Sequence, residues 1–192
     1  MKRFLICVVV LLSVVAGGNY LVFNQGFYLD LDPNASVSIP FCTQGKEMMV
    51  RQEDGSYAGI QLRGVELSSS MPGSYASSFA PEEDDYLRWL EQIVEMGANV
   101  VRLSSLMDDD FYNAFYTFNT GREEPLYLLQ GIRLSDEAVL SAQDGYHDTV
   151  LGSLLEDGAA AVDIIHGRRS YVVGQLQGSG TYWKDVSPWV LG

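Results

Sequence analysis

The chain has 192 residues, 47% of them hydrophobic and 19% charged, which is enough for one domain with a substantial core. Its formal net charge of −13 repels phosphate backbones and argues against nucleic acid as a partner. Cys7 and Cys42 lie in segments of different character, so neither a disulfide framework nor a thiolate metal site follows.

Lys2 and Arg3 precede an uncharged apolar run from Phe4 to Phe23. A helix of that length spans about 30 Å, the thickness of a bilayer's hydrocarbon core, so residues 1–23 are expected to form a transmembrane helix. The two leading cations place the N-terminus in the cytoplasm and the rest outside, giving a single-pass protein of the cell membrane. Val14-Val15-Ala16 before Gly17-Gly18 resembles a signal cleavage site, which would make the chain secreted instead. The continuing run Tyr20-Leu21-Val22-Phe23 favours the anchor. Without Lys2 and Arg3, 10 basic residues face 25 acidic ones, a charge of −15. Such acidity keeps an exported surface soluble.

Residues 24–46, with Asp30, Asp32, Pro33, Asn34 and Pro40, have no sustained period and read as a stalk. The remaining domain, 47–192, opens with a hairpin in which 47–51 and 57–62 flank the turn dipeptide Asp54-Gly55. A strand closing on Arg63-Gly64-Val65-Glu66-Leu67 follows. Next comes a helix that begins at Pro81, has Glu82 to Asp85 at its positive end, and stops at Gly97. Ala98 to Leu103 is the next strand. Two strands joined by a helical crossover run parallel, so the unit is α/β and its sites lie at the carboxyl ends of its strands.

The alternation then continues. A helix is predicted from Asp108 or Asp109 to Asn119, a strand over Leu126–Leu129 and a helix from about Asp144 to Ile165. The last segment, Tyr171 to Gly192, is rich in Gly and aromatic residues and reads as a loop approaching another strand. It ends in Val190-Leu191-Gly192, an apolar run with no closing turn or helix.

Glu66 and Arg102 stand at the ends of the first two core strands and are the first candidates for ligand contact. Tyr182 and Trp183 join them, because aromatic rings suit the apolar faces of sugars. The acidic clusters Glu82 to Asp85 and Asp108 to Asp110 sit at helix starts, where capping and the helix dipole account for them. His147 and His166 lack the spacing of a helical metal site, so no metal is expected. Neither a phosphate-cradling glycine motif nor a Gly-x-Ser-x-Gly elbow is complete, and no cofactor is expected.

Arg63-Gly64-Val65-Glu66-Leu67, Tyr86 to Met96, and Gly97-Ala98-Asn99-Val100-Val101-Arg102-Leu103 together resemble the opening of the (β/α)8-barrel glycoside hydrolases, the cellulase-like and β-galactosidase-like superfamily. The spread from Tyr86 through Pro125-Leu126-Tyr127-Leu128-Leu129-Gln130-Gly131 to Asp185-Val186-Ser187-Pro188-Trp189 is similar to membrane-anchored bacterial proteins of that barrel type. The resemblance implies the N-terminal part of a TIM barrel, preceded by the transmembrane helix and the short hairpin. It implies an extracytoplasmic protein acting on O-glycosidic bonds, with Arg102 orienting a nucleophile or binding a sugar hydroxyl. Two departures stand out. Glu66 occupies the position where the family usually has Asn, and a full barrel takes about 250 residues. In those enzymes the acid/base follows strand four and the nucleophile follows strand seven, so the catalytic carboxylates are expected beyond the end of this chain, which would then be an inactive fragment. The alternative is a non-catalytic carbohydrate-binding or structural cell-surface protein.

Overall fold

The computed structural model describes residues 2–25, 40–52, 54–68, 81–132, 134, 136–172 and 179–192. A helix, α1 (Lys2–Gln25), is followed by an antiparallel sheet of β1 (Phe41–Gln44), β2 (Glu47–Arg51) and β3 (Tyr57–Ile60) in that order. The expected hairpin is there: Met49 faces Gly59, and Gly55 takes a left-handed φ of 83° in the connecting turn. The Asp54 carboxylate accepts the Ser56 N–H at 2.9 Å and closes that turn. The expected stalk is different at its end, because residues 41–44 pair with β2 as a third strand.

The central unit is a parallel sheet of β4 (Gly64–Leu67), β5 (Val100–Leu103) and β6 (Tyr127–Gln130). The β4–β5 crossover is α2 (Glu83–Glu95), and the β5–β6 crossover is α3 (Asp109–Asn119). Period-two alternation divides the sheet. Val101, Leu103 and Leu128 face a core shared with Tyr86, Leu90 and Ile93 of α2 and Phe111, Phe115 and Phe118 of α3. Glu66 and Arg102 fall on the opposite face.

Both helices end as their residues dictate. Gly97 (φ 83°) lets α2 close in a Schellman turn, with its N–H on Val94 O and the Ala98 N–H on Ile93 O. Asp108 caps α3 by accepting the Phe111 N–H at 3.2 Å. Two asparagines then fix where the strands begin. Asn99 accepts the Arg63 N–H at 2.7 Å and donates to Gln61 O at 2.9 Å, tying β5 to the start of β4. Asn119 does the same for the start of β6, accepting from Leu126 N at 2.8 Å and donating to Leu126 O at 3.0 Å.

After β6 the chain forms α4 (Asp136–Ala142), which was not expected, and α5 (Asp148–Ile165). It then turns into an antiparallel hairpin of β7 (Arg169–Val172) and β8 (Ser179–Tyr182), with a short 3-10 turn at Ser187–Trp189.

Three expectations are corrected here. The TIM barrel is not supported: among the described residues the parallel strands make an open three-stranded sheet, and an antiparallel hairpin, β7 with β8, stands between α5 and the last residues. A hairpin satisfies its own backbone groups. The last three residues lie along the free side of β6: Val190 makes one parallel bridge to Leu128, the Leu191 N–H donates to Leu128 O at 2.8 Å, and Gly192 O accepts the Gln130 N–H at 2.8 Å. The architecture is a mixed α/β arrangement of small sheets. The expected transmembrane helix and the single-pass location in the cell membrane are also corrected, because no helix among the described residues is long and apolar enough to cross a membrane. The helix concerned is α1 (Lys2–Gln25). That helix lies alongside β7.

Candidate functional site

Glu66 and Arg102 occupy the same register position on neighbouring parallel strands, and their side chains meet at 2.9 Å. Each side chain is more than half exposed, so water screens the pair and it adds little stability. Its consequence is chemical. At the end of β4 the Glu66 carboxylate already accepts from the Arg102 guanidinium.

Tyr182 and Trp183, adjacent in sequence, have opposite fates. Tyr182 is 1% exposed, with its ring against Tyr112 and its hydroxyl donating to Met107 O at 2.8 Å. It belongs to the core, where it cannot meet a ligand. Trp183 is 62% exposed. It lines a depression of about 550 Å³ with Glu83 from α2, Asn113 and Thr117 from α3, and Lys184. Trp189, by contrast, packs edge-on against Phe115 and Tyr116.

The groove is built from the core outward. Buried residues of α2 and α3 lock those helices together, leaving Glu83, Asn113 and Thr117 on their outer sides. The Thr117 hydroxyl donates to Glu83 Oε1 at 3.4 Å across the two helices. Asp109 reaches β8 and accepts the Thr181 N–H at 3.0 Å. A Cβ at Gly180 would collide with the Asp109 carboxylate, which would have to swing away and give up that bond. On the other side, the Lys184 ammonium lies 4.9 Å from the centre of the Tyr116 ring. The strand that leads to Trp183 is thus fixed at defined points.

Among the described residues, Asp108 is the carboxyl most strongly perturbed, raised to about 6. Burial is the main cause, opposed by the Phe111 N–H and the Tyr86 hydroxyl and reinforced by Asp110 and Asp109. The Tyr86 phenol, itself pushed up by burial and then by the charge of Asp108, stays protonated and faces Asp108 Oδ2 at 3.3 Å. Both carboxyl oxygens are engaged within the fold, so Asp108 acts as a cap and a bridge between helices. Because its folded value exceeds the ordinary 3.8, its contribution to stability is fully present below 3.8 and is lost as pH rises through about 6. Full burial of the charge would cost about 3 kcal/mol, and partial exposure reduces this to about 2. Asp108→Asn keeps an acceptor for the helix cap without the charge. Urea unfolding should therefore show the variant more stable by about 2 kcal/mol near neutral pH, with the two proteins converging below about pH 4. A difference that stays constant across that range would contradict the buried charge.

Gln130 has no counterpart among the expected site residues. It accepts the Tyr112 hydroxyl at 2.7 Å and donates to Ser105 O and Gly131 O, fastening the loop after β5 to the end of β6. A polar residue at a strand end, the signal that pointed to Glu66 and Arg102, would have found it.

No protein-family model, curated protein or solved structure matches this chain. The Trp183 groove and the Glu66–Arg102 face therefore stand on their own chemistry.

Proposed function

We propose that this chain is a carbohydrate-binding protein that recognises saccharide at the Trp183 groove without hydrolysing it. The observation that supports this reading is an exposed tryptophan directly after the braced strand β8, in a depression lined by polar side chains. A pyranose ring presents an apolar C–H face that stacks on indole, and its equatorial hydroxyls seek donors and acceptors at the rim. Asn113 supplies an amide, Thr117 a hydroxyl, Glu83 a carboxylate and Lys184 an ammonium. Hydrolysis needs two carboxyl groups flanking the glycosidic bond, about 5 Å apart for retention or 6.5–9.5 Å for inversion. The strand-end carboxylate Glu66 is instead bound to Arg102.

Affinity electrophoresis of the chain through gels containing soluble polysaccharides tests the reading. At least one polysaccharide should retard the protein, and Trp183→Ala should weaken that retardation about tenfold or more, equivalent to roughly 1.4 kcal/mol, while leaving the melting temperature within a few degrees. Retardation by none, or equal retardation of the variant, would remove the proposal. Release of reducing ends from the bound polysaccharide would replace it with the hydrolase reading.

A further inference from the structure

We infer that the Trp183 groove prefers saccharides bearing free amino groups, of the glucosamine type, over their N-acetylated or uronic acid counterparts. This rests on the carbohydrate-binding reading and adds the chemistry of the ligand. The groove has an aromatic platform and, within the same depression, the Glu83 carboxylate. An ammonium on a sugar whose ring stacks on Trp183 meets that carboxylate as a charge-assisted hydrogen-bond acceptor. A uronate meets repulsion there.

The field around the groove has the same sign. Asp110 is raised first by burial and then by Asp109, Glu83 and Glu82, so the carboxylates at the starts of α2 and α3 act on one another. Lys184 also lines the groove, its ammonium over the face of Tyr116, and there one cation stands against the carboxylates of Glu82, Glu83, Asp109 and Asp110. Arg88, further along α2, is bound to Asp85 at 2.6 Å. The Thr117 hydroxyl donates to Glu83 Oε1 at 3.4 Å. An N-acetyl group removes the ligand's positive charge and with it the attraction. The net charge of −13 extends the bias to polycations at longer range, where salt screens it.

Isothermal titration of the chain with a glucosamine hexasaccharide, its fully N-acetylated counterpart and an oligogalacturonate, at mildly acidic pH and low salt, tests the preference. The free-amine oligomer should bind at least about fivefold more tightly than the acetylated one, and the uronate should bind most weakly. Glu83→Gln should bring the first ratio to within about twofold, and Trp183→Ala should weaken binding of both oligomers. Raising salt to about 1 M on the unaltered chain should narrow the same ratio, a measurement that does not depend on any variant folding. Equal binding of the acetylated and free-amine oligomers, or a preference that survives in both Glu83→Gln and high salt, overturns the inference and leaves the carbohydrate reading in place. Binding of no oligomer, together with no retardation by polysaccharide, overturns both.

Discussion

Asn119→Ala should lower the unfolding free energy by about 3 kcal/mol, the loss expected when two buried backbone groups are left without partners. Asn119 is 2% exposed and Leu126 is 1% exposed, so water cannot replace the lost amide. The Leu126 N–H and C=O would lose bonds of 2.8 and 3.0 Å at the start of β6. Asn119→Asp distinguishes this cause from simple loss of volume. The aspartate can still accept from Leu126 N, yet at neutral pH it turns a negative oxygen toward the Leu126 carbonyl in a site closed to water. Its stability should rise as pH falls and the carboxyl gains a proton that it can donate. The half-buried Asn99, with the same pair of bonds at β4, gives the comparison: Asn99→Ala should cost only about 1 kcal/mol, because water can reach the freed groups. Equal losses at the two positions, measured by urea denaturation, would show that burial does not set the difference.

The two asparagines mark the limit of what pattern reading yields. The crossovers were legible, because Gly97 after an apolar stripe and Asp108 before one are local signals with local causes. The turn at Asp54-Gly55 was legible for the same reason. Asn119 announces nothing locally. Its value depends on Leu126 lying beside it, and that follows from tertiary placement. The strand β1 gave no period to read, since three of its four residues are exposed. The barrel expectation failed by extending a true local unit too far. Three parallel strands with helical crossovers are present, and Val190 bridges β6 in parallel, but the segment from Tyr171 that reads as a loop holds strand residues of an antiparallel hairpin, β7 with β8.

The candidate site was half legible. Glu66 and Arg102 stand at the ends of two strands whose helical crossover is legible in the sequence, and their shared register brings them together. Pairing Tyr182 with Trp183 overlooked a rule available from sequence: neighbours along an extended segment point to opposite sides, so one faces inward when the other faces out. The structure puts Tyr182 in and Trp183 out. Glu83, Asn113 and Thr117 could not be grouped with Trp183 in advance, because they come from two helices and a hairpin far apart in sequence.

Gly167→Ala should cost about 3 kcal/mol and should also disturb the Trp183 groove. Gly167 ends α5 in a Schellman turn at φ 64°, with its N–H on Ile164 O and the Arg168 N–H on Asp163 O. The left-handed backbone alone costs a non-glycine residue about 1 kcal/mol. Gly97 isolates that part, because it closes α2 in the same turn at φ 83° with nothing within 4 Å of an added Cβ. At Gly167 the added Cβ would lie 2.5 Å from the Trp183 carbonyl carbon and 2.8 Å from Lys184 N. Those are backbone atoms, which cannot turn aside as a side chain would. Either the end of α5 or the segment bearing Trp183 and Lys184 must move. Gly97→Ala should therefore lose about 1 kcal/mol with saccharide retardation intact, and Gly167→Ala should lose about 2 kcal/mol more and weaken retardation as well. Matching losses in the two variants, with retardation equal in both, would mean that the close approach of Gly167 to the Trp183 backbone does not hold the groove in shape.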